Sequence, residues 1–497
     1  MSTKTCSSLS SKKKDFTDRN IYKLIRPTSD GLFLTDTIVG GDLSVRKPAI
    51  YVKPKNNCLA FGTLINSSSS GSDNITVGIN ALKNNTTGGS NTAIGSNILV
   101  GNTTGENIIA IGTNTLESNT SGKNNIALGK DSLKTNTTAD RNIAIGTESL
   151  KVNLVTGNQD NNIPQGQNIG IGYQTMTATT TGYQNIALGD QNLSAMIDGS
   201  GNTAIGHNAM KLSTTGDHNI AIGNIALGGS ATTGSRNIAL GLNTADAIVA
   251  GNDNIALGQN AAGSAVAGNT NIAIGKSAFA LGGVDQSCNE NIAIGNLALG
   301  GAIVSGNNNI AVGSSAGSSI TTGVSNICIG NGAGDLIVSA NDNVCIGTDA
   351  GNGITDQSGH VLIGNNTDVL ATTDTNCTVI GNSATANGDN SIAIGNGATA
   401  SGTNTCVIGN GSISSIHPGV NTCSLGTSTS TQRFSELHLT TQIYINGDKV
   451  LGERQSDITD ASTSHSTGDS TINSNLNSLG SKINSIIDVL QAHGLIG

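Results

Sequence analysis

The sequence predicts an all-β chain, a β-solenoid of about 21 coils with a 17-residue period, followed by a short C-terminal α-helical coiled coil. Three observations carry this. The motif Asn-Ile-Ala-Ile-Gly, or a close variant, recurs along most of the chain. The composition has 67 glycines, no tryptophan, five phenylalanines and five tyrosines, with 11% of residues charged. A 4, 3, 4, 3, 4 spacing of Ile and Leu closes the chain, from Ile472 to Leu490.

Aromatic side chains bring most area to ordinary cores, and between Ile75 and Gly426 there are only Tyr173, Tyr183 and Phe279. Its interior must therefore be aliphatic. Low charge with abundant Gly, Asn and Thr also suits disorder, but disorder needs no fixed aliphatic period. The motif glycines run from Gly78 to Gly426, mostly 17 apart. The step is 26 after Gly146, 20 after Gly275, 18 after Gly223 and Gly295, and 14 after Gly381 and Gly395. A period this short is one turn of a solenoid, not a helical repeat.

Within a copy, Ile143 and Ile145 point to one face of a strand and Ala144 to the other. A second short strand is expected after the glycine, as at Ser149-Leu150, Ala209-Met210 and Ala298-Leu299, then an Asn/Thr/Gly turn such as Asn85-Thr86-Thr87-Gly88. Stacked at about 4.8 Å, 20 intervals give a rod on the order of 100 Å, with identical residues in ladders. Asn stands four before the glycine in 15 of 21 copies. Because the strand is apolar on both faces, the large Ile face is expected to fill the coil. The small Ala face would then meet a neighbouring chain, with Ile222 buried in its own coil and Ala221 at the contact between chains. The nine extra residues after Gly146, around Asn158 to Gln165, are expected to leave as a surface loop.

The copies, closest at Asn390-Ser391-Ile392-Ala393-Ile394-Gly395-Asn396-Gly397-Ala398-Thr399-Ala400, resemble the head repeats of trimeric autotransporter adhesins. The resemblance covers roughly residues 74–426. It implies a left-handed parallel β-roll, a homotrimer and contact with host surfaces. Those adhesins carry a signal peptide and a C-terminal membrane barrel; neither is expected here. Long 17-residue arrays of this kind look more like fibre proteins of large DNA viruses or phage tails. Gln432-Arg433-Phe434-Ser435-Glu436-Leu437-His438-Leu439, followed by Gln442-Ile443-Tyr444-Ile445-Asn446-Gly447, is similar to a module near fibre ends and reads as a strand and an Asn-Gly hairpin.

The expected organisation is an N-terminal attachment region at 1–55, the repeat array at 56–431, a hairpin module at 432–455, and a linker with the coiled coil at 456–497. In the last, Ile472, Leu479 and Ile486 alternate with Leu476, Ile483 and Leu490, a pattern that leans to three or four strands. Gly480 weakens the lone helix. Residues 1–55 carry a balance of +6 and the remainder −15. Lys12-Lys13-Lys14 suits nucleic acid, an acidic protein surface or a solvated tail, and the acidic remainder does not suit nucleic acid. Gly31–Leu34 and Ala49–Val52 suggest small strands. With no 18-residue apolar run, membrane insertion is not expected.

No catalytic, cofactor or metal site is expected. The cysteines Cys6, Cys58, Cys288, Cys328, Cys345, Cys377, Cys406 and Cys423 contain no CxxC pair. Cys328/Cys345 and Cys406/Cys423 lie 17 apart, spacings open to disulfides but read as free, small apolar residues. The histidines His207, His218, His360, His417, His438, His465 and His493 are scattered. Gly275-Lys276-Ser277 lacks the earlier glycine of a phosphate loop, Thr270 standing there. Asn85, Asn102 and Asn136 open Asn-Thr-Thr triplets, which suit glycosylation or turn chemistry alike. The expected function is a non-enzymatic trimeric fibre on a virion surface or tail, made in a host cytoplasm. It would join the particle through its N-terminal region and touch a host protein or glycan. An ice-binding solenoid and a polysaccharide-binding or polysaccharide-degrading solenoid are the alternatives.

Overall fold

In the computed structural model, residues 69–412 are described apart from 154–165, 264–267, 281–287 and residue 303. Short strands between residues 25 and 62 and between 443 and 451, and a helical segment at 470–494, complete the description. The Gly426 coil, the Asn158–Gln165 loop, Lys12–Lys14, the Gln432–Leu439 strand and the residues Cys6, Cys423, His417, His438 and His465 lie outside it. The chain forms two compact units, 1–414 and 415–497.

The first unit is a parallel β-solenoid of about 19 turns. Each motif strand pairs in register with the next, Ile220 on Ile238, Ala221 on Ala239 and Ile222 on Leu240, so like residues stack on like. Four strands precede the array: β1 (Ile25–Thr28), β2 (Gly31–Leu34), β3 (Ala49–Lys53) and β4 (Cys58–Gly62). They form an antiparallel meander. β4 then pairs parallel with β5 (Ile75–Gly78), Gly62 on Gly78. A further motif strand, Cys58-Leu59-Ala60-Phe61-Gly62, thus starts the stack, and the meander covers an end that would otherwise be an open edge.

The two faces of the strand are the reverse of the expectation. Ala144, Ala187, Ala204, Ala221 and Ala239 are fully buried inside the coil, whereas Ile222 is 38% and Leu188 44% exposed. The reason lies at the corner after the glycine. Leu150, Met210 and Leu299 are not in a second strand but in turns, with φ of 49°, 51° and 48°. That left-handed kink swings a long side chain into the coil, where Leu82, Leu99, Leu116, Leu133, Leu150, Met176 and Leu193 are fully buried. A coil already holding Leu has room only for Ala on the strand. At Gly170 even a Cβ would lie 2.6 Å from Ser149 Oγ and 2.9 Å from Thr175 Oγ1.

Volume is conserved along the rod. Where the corner residue shrinks to Gly317, Gly334 and Gly351, the interior is refilled by Ile320, Ile337 and Ile354, all buried. The strand residue grows in step: Cys328 and Cys345 replace Ala, and a Cβ on Gly334 would come 2.7 Å from Cys328 Sγ. Close packing makes such exchanges the tolerated ones. Second strands do form in later coils, at Asp368–Val369 in a 17-residue coil and at Thr385–Asn387 and Thr399–Ser401 in the 14-residue ones. The motif glycine is needed twice over. Gly223 has φ +140°, and a Cβ there would overlap the carbonyl of Gly241 in the next coil.

In the second unit, Ile443–Ile445 and Asp448–Leu451 pair antiparallel, as the hairpin reading expects. The helix α1 spans Ser470–Ala492, covering the heptad positions.

Candidate interaction face

The outward side of the motif strands is the largest organised surface of the first unit. One before the glycine, the residues run Val77, Ile94, Ile111, Leu128, Ile145, Ile171, Leu188, Ile205 and onward to Ile408, aliphatic at every rung. Two residues earlier a second row of Ile and Val is broken only by Thr92, Thr203, Thr378 and Cys406. All these residues are partly or well exposed in the single chain. The stripe measures roughly 90 Å by 7 Å from strand spacing and rise. Its plan area therefore reaches the upper end of the 300–600 Å² patches that monomers usually show. A sheet face left in water would carry polar residues.

Beside the stripe, buried amides hold the coils in register. Asn185 Oδ1 accepts the backbone N–H of Asn202 at 2.9 Å, and Asn185 Nδ2 donates to the Gly199 carbonyl at 2.8 Å. The same pair of bonds recurs at Asn219, Asn237, Asn254 and beyond. A second ladder runs through Asn85, Asn102, Asn119, Asn136 and Asn153, each amide donating to the previous one at 2.8 to 3.2 Å. Asn85, Asn102 and Asn136 are fully buried, so turn and ladder chemistry accounts for the three triplets and no acceptor amide faces solvent.

His360 replaces an asparagine in the first ladder. Its Nδ1 accepts the N–H of Cys377 at 3.1 Å, its Nε2 has no hydrogen-bond partner, and burial pushes its pKa down. His207 lies 3.8 Å from Asp190 at an exposed corner, His218 sits at a left-handed turn, and His493 follows α1. The structure brings none of them together. Cys58 is buried; Cys288, Cys328, Cys345 and Cys377 are free and buried, as read, but free Cys406 is exposed because its position faces outward. Gly275-Lys276-Ser277 is a coil corner in which Gly275 N–H donates to Leu257 O and Ser277 N–H to Gln259 O. Among the described residues no group of three His, Cys, Asp or Glu is placed to hold a metal. No helix among them is long and apolar enough to cross a membrane.

On α1, Leu479, Ile483 and Ile486 are 53%, 48% and 58% exposed.

Comparison with known families gives one match, at the short coils. Residues 376–398 and 386–412 match the YadA head domain repeat. These two copies cover the region where the step falls to 14 and where Thr385–Asn387 and Thr399–Ser401 form true second strands. The YadA-type repeats share the sheet with the 17-residue coils, Thr378 pairing with Val361 and Val379 with Leu362 of the preceding coil. The chain is thus an adhesin-like β-solenoid at its most similar segment. No curated protein sequence matches the chain.

Proposed function

We propose that the chain is a non-enzymatic structural fibre that works as a homotrimer and displays its coils on a surface, on a virus particle or tail. The observation that carries the reading is the aliphatic stripe from Val77 to Ile408 on coils whose interiors are already filled by Ala and Leu. Three chains meeting along this stripe remove it from water. In this arrangement the roll is left-handed, as in the YadA-type head, and α1 closes the trimer as a coiled coil through Leu479, Ile483 and Ile486. A trimerising helix also fixes the register, which stacked identical rungs specify weakly. Residues 1–55 attach the fibre, and the far coils touch a host surface.

Sedimentation equilibrium of the full chain tests the assembly: the expected mass is three times 49.7 kDa. A monomer at micromolar concentration overturns the trimer. Labelling purified particles with an antibody to the chain tests the location. Label confined to the envelope of an anchored bacterial cell would replace the particle by a membrane-anchored adhesin.

A further inference from the structure

The outer corner five residues after each motif glycine carries Lys134, Lys151, Thr177, Ser194 and Lys211 in successive coils. Two short hydroxyl residues between long lysines leave an open cavity of about 430 Å³. Such a volume lies within the usual range of small-ligand sites. Three coil steps separate Lys151 from Lys211, roughly 14 Å at sheet spacing.

One wall is a continuous hydrogen-bonded row. Lys211 Nζ donates to Gln191 Oε1 at 2.8 Å, Gln191 Nε2 to Gln174 Oε1 at 3.2 Å, and Gln174 Nε2 to Glu148 Oε2 at 3.0 Å. Lys151 lies 3.4 Å from Glu148 Oε1. The Gln174 amide, helped by Lys151, holds the Glu148 carboxyl below the usual range, so it is ionised. The floor hydroxyls donate to backbone, Thr177 to Ser194 O at 3.0 Å and Ser194 to Lys211 O at 3.3 Å, which leaves their lone pairs able to accept.

Each ammonium and each amide nitrogen keeps N–H groups beyond those used in the row. One carboxylate is answered by two lysines, so the notch is net positive in an acidic chain. We propose that this notch binds an acidic saccharide, its carboxylate or sulfate on Lys151 and Lys211 and its hydroxyls on the Gln174, Gln191, Thr177 and Ser194 groups. A peptide strand would seek an open sheet edge, and here the motif strands on either side are paired. The inference deepens the surface-fibre reading by naming its receptor class.

The test titrates full-length protein with a galacturonate hexamer, a heparin-type sulfated hexasaccharide, neutral maltohexaose and poly-glutamate, following heat and sedimentation on the same samples. The acid sugars are expected to bind and maltohexaose to fail; which acid sugar binds separates carboxylate from sulfate. Ser194→Lys fills the notch with a residue that the same coil position holds at 134, 151 and 211, so the fold is kept while positive charge rises. Loss of at least tenfold in affinity in Ser194→Lys, and in Lys211→Ala, supports the site. Equal or tighter binding by Ser194→Lys means bulk charge attraction and overturns it, as does equal binding of poly-glutamate or no binding by the unaltered chain. A trimer that binds no acid sugar overturns the notch alone, whereas a monomer that binds it overturns the trimer alone.

Discussion

The backbone N–H and the side-chain Nδ2 of Asn202 both donate to one oxygen, Asn185 Oδ1, at 2.9 and 3.1 Å. Asn202 in turn accepts the N–H of Asn219 and donates to Gly216 O, each at 2.8 Å. Asn202→Ala therefore strands a buried donor and a buried acceptor, each costing about 1–3 kcal/mol. Because solenoid stability is a sum over neighbouring coils, the loss should be local. Hydrogen exchange is expected to accelerate in residues 185–223 and stay unchanged beyond residue 300; uniform exchange along the rod would contradict the ladder's role.

Ala221 and Ile222 are neighbours with opposite duties. Ala221→Asp puts a carboxylate among the buried alanines, a burial worth several kcal/mol unless it is protonated. Local exchange and the melting profile should both show it. Replacing Ile205, Ile222 and Leu240 together by Asp alters only the outward face. It should leave the coil interior within about 0.5 kcal/mol per site while weakening association in sedimentation. Intact folding in Ala221→Asp would restore the reverse assignment of the faces.

His360 makes the Gly364 coil sensitive to acid. Burial lowers its pKa, outweighing the opposite pull of the Asp374 carbonyl and the Asp374 and Asp389 charges. The sign follows from linkage. A folded-state pKa below the unfolded value means the unfolded chain binds the proton first, so stability is full above the ordinary 6.5 and falls as pH drops below it. Protection factors in residues 343–377, which remove the intrinsic pH dependence of exchange, should thus be lower at pH 5 than at pH 7.5. His360→Asn restores the ladder residue and should remove the difference; persistence of the pH effect in that variant would assign it elsewhere.

The thiols should differ sharply in reactivity. Cys328 and Cys345 are register partners inside the coil. The hydrogen bond from Cys328, then burial, pushes the Cys345 thiol well up, and a thiol rather than a thiolate is a poor nucleophile. Site-resolved alkylation of the native protein at pH 8 should label Cys406 before Cys345. Equal rates at the two would mean that the coil opens readily there.

The repeat, its parallel stacking and the terminal helix were legible because their signals are periodic and local. The hairpin pairing of Ile443–Ile445 with Asp448–Leu451 was legible from Asn446-Gly447 in the same way. The start of the stack was missed because Cys58-Leu59-Ala60-Phe61-Gly62 replaces all but the alanine and glycine of the motif. The corner was also misread, although a signal existed. From the Gly78 coil to the Gly347 coil the position of Leu150, Met210 and Leu299 holds Leu, Met, Ala, Phe or Gly, while the strands prefer Ile. A β-branched residue does not tolerate φ near +50°, so its absence marks a left-handed corner rather than a strand. The lysine-flanked notch appears only when coils are aligned across the 26-residue step, which hides Thr177 and Ser194 from a simple count.

By itself, then, the sequence determined that the chain coils, how often, and which residues alternate along each strand. It could not determine which alternate set faces in, because both sets are apolar and a period of two is symmetric between faces. Only the tertiary structure decided that. The left-handed corners at Leu150, Met210 and Leu299 send their side chains into the coil. A close-packed interior so filled admits alanine beside them, and the isoleucines are left outside.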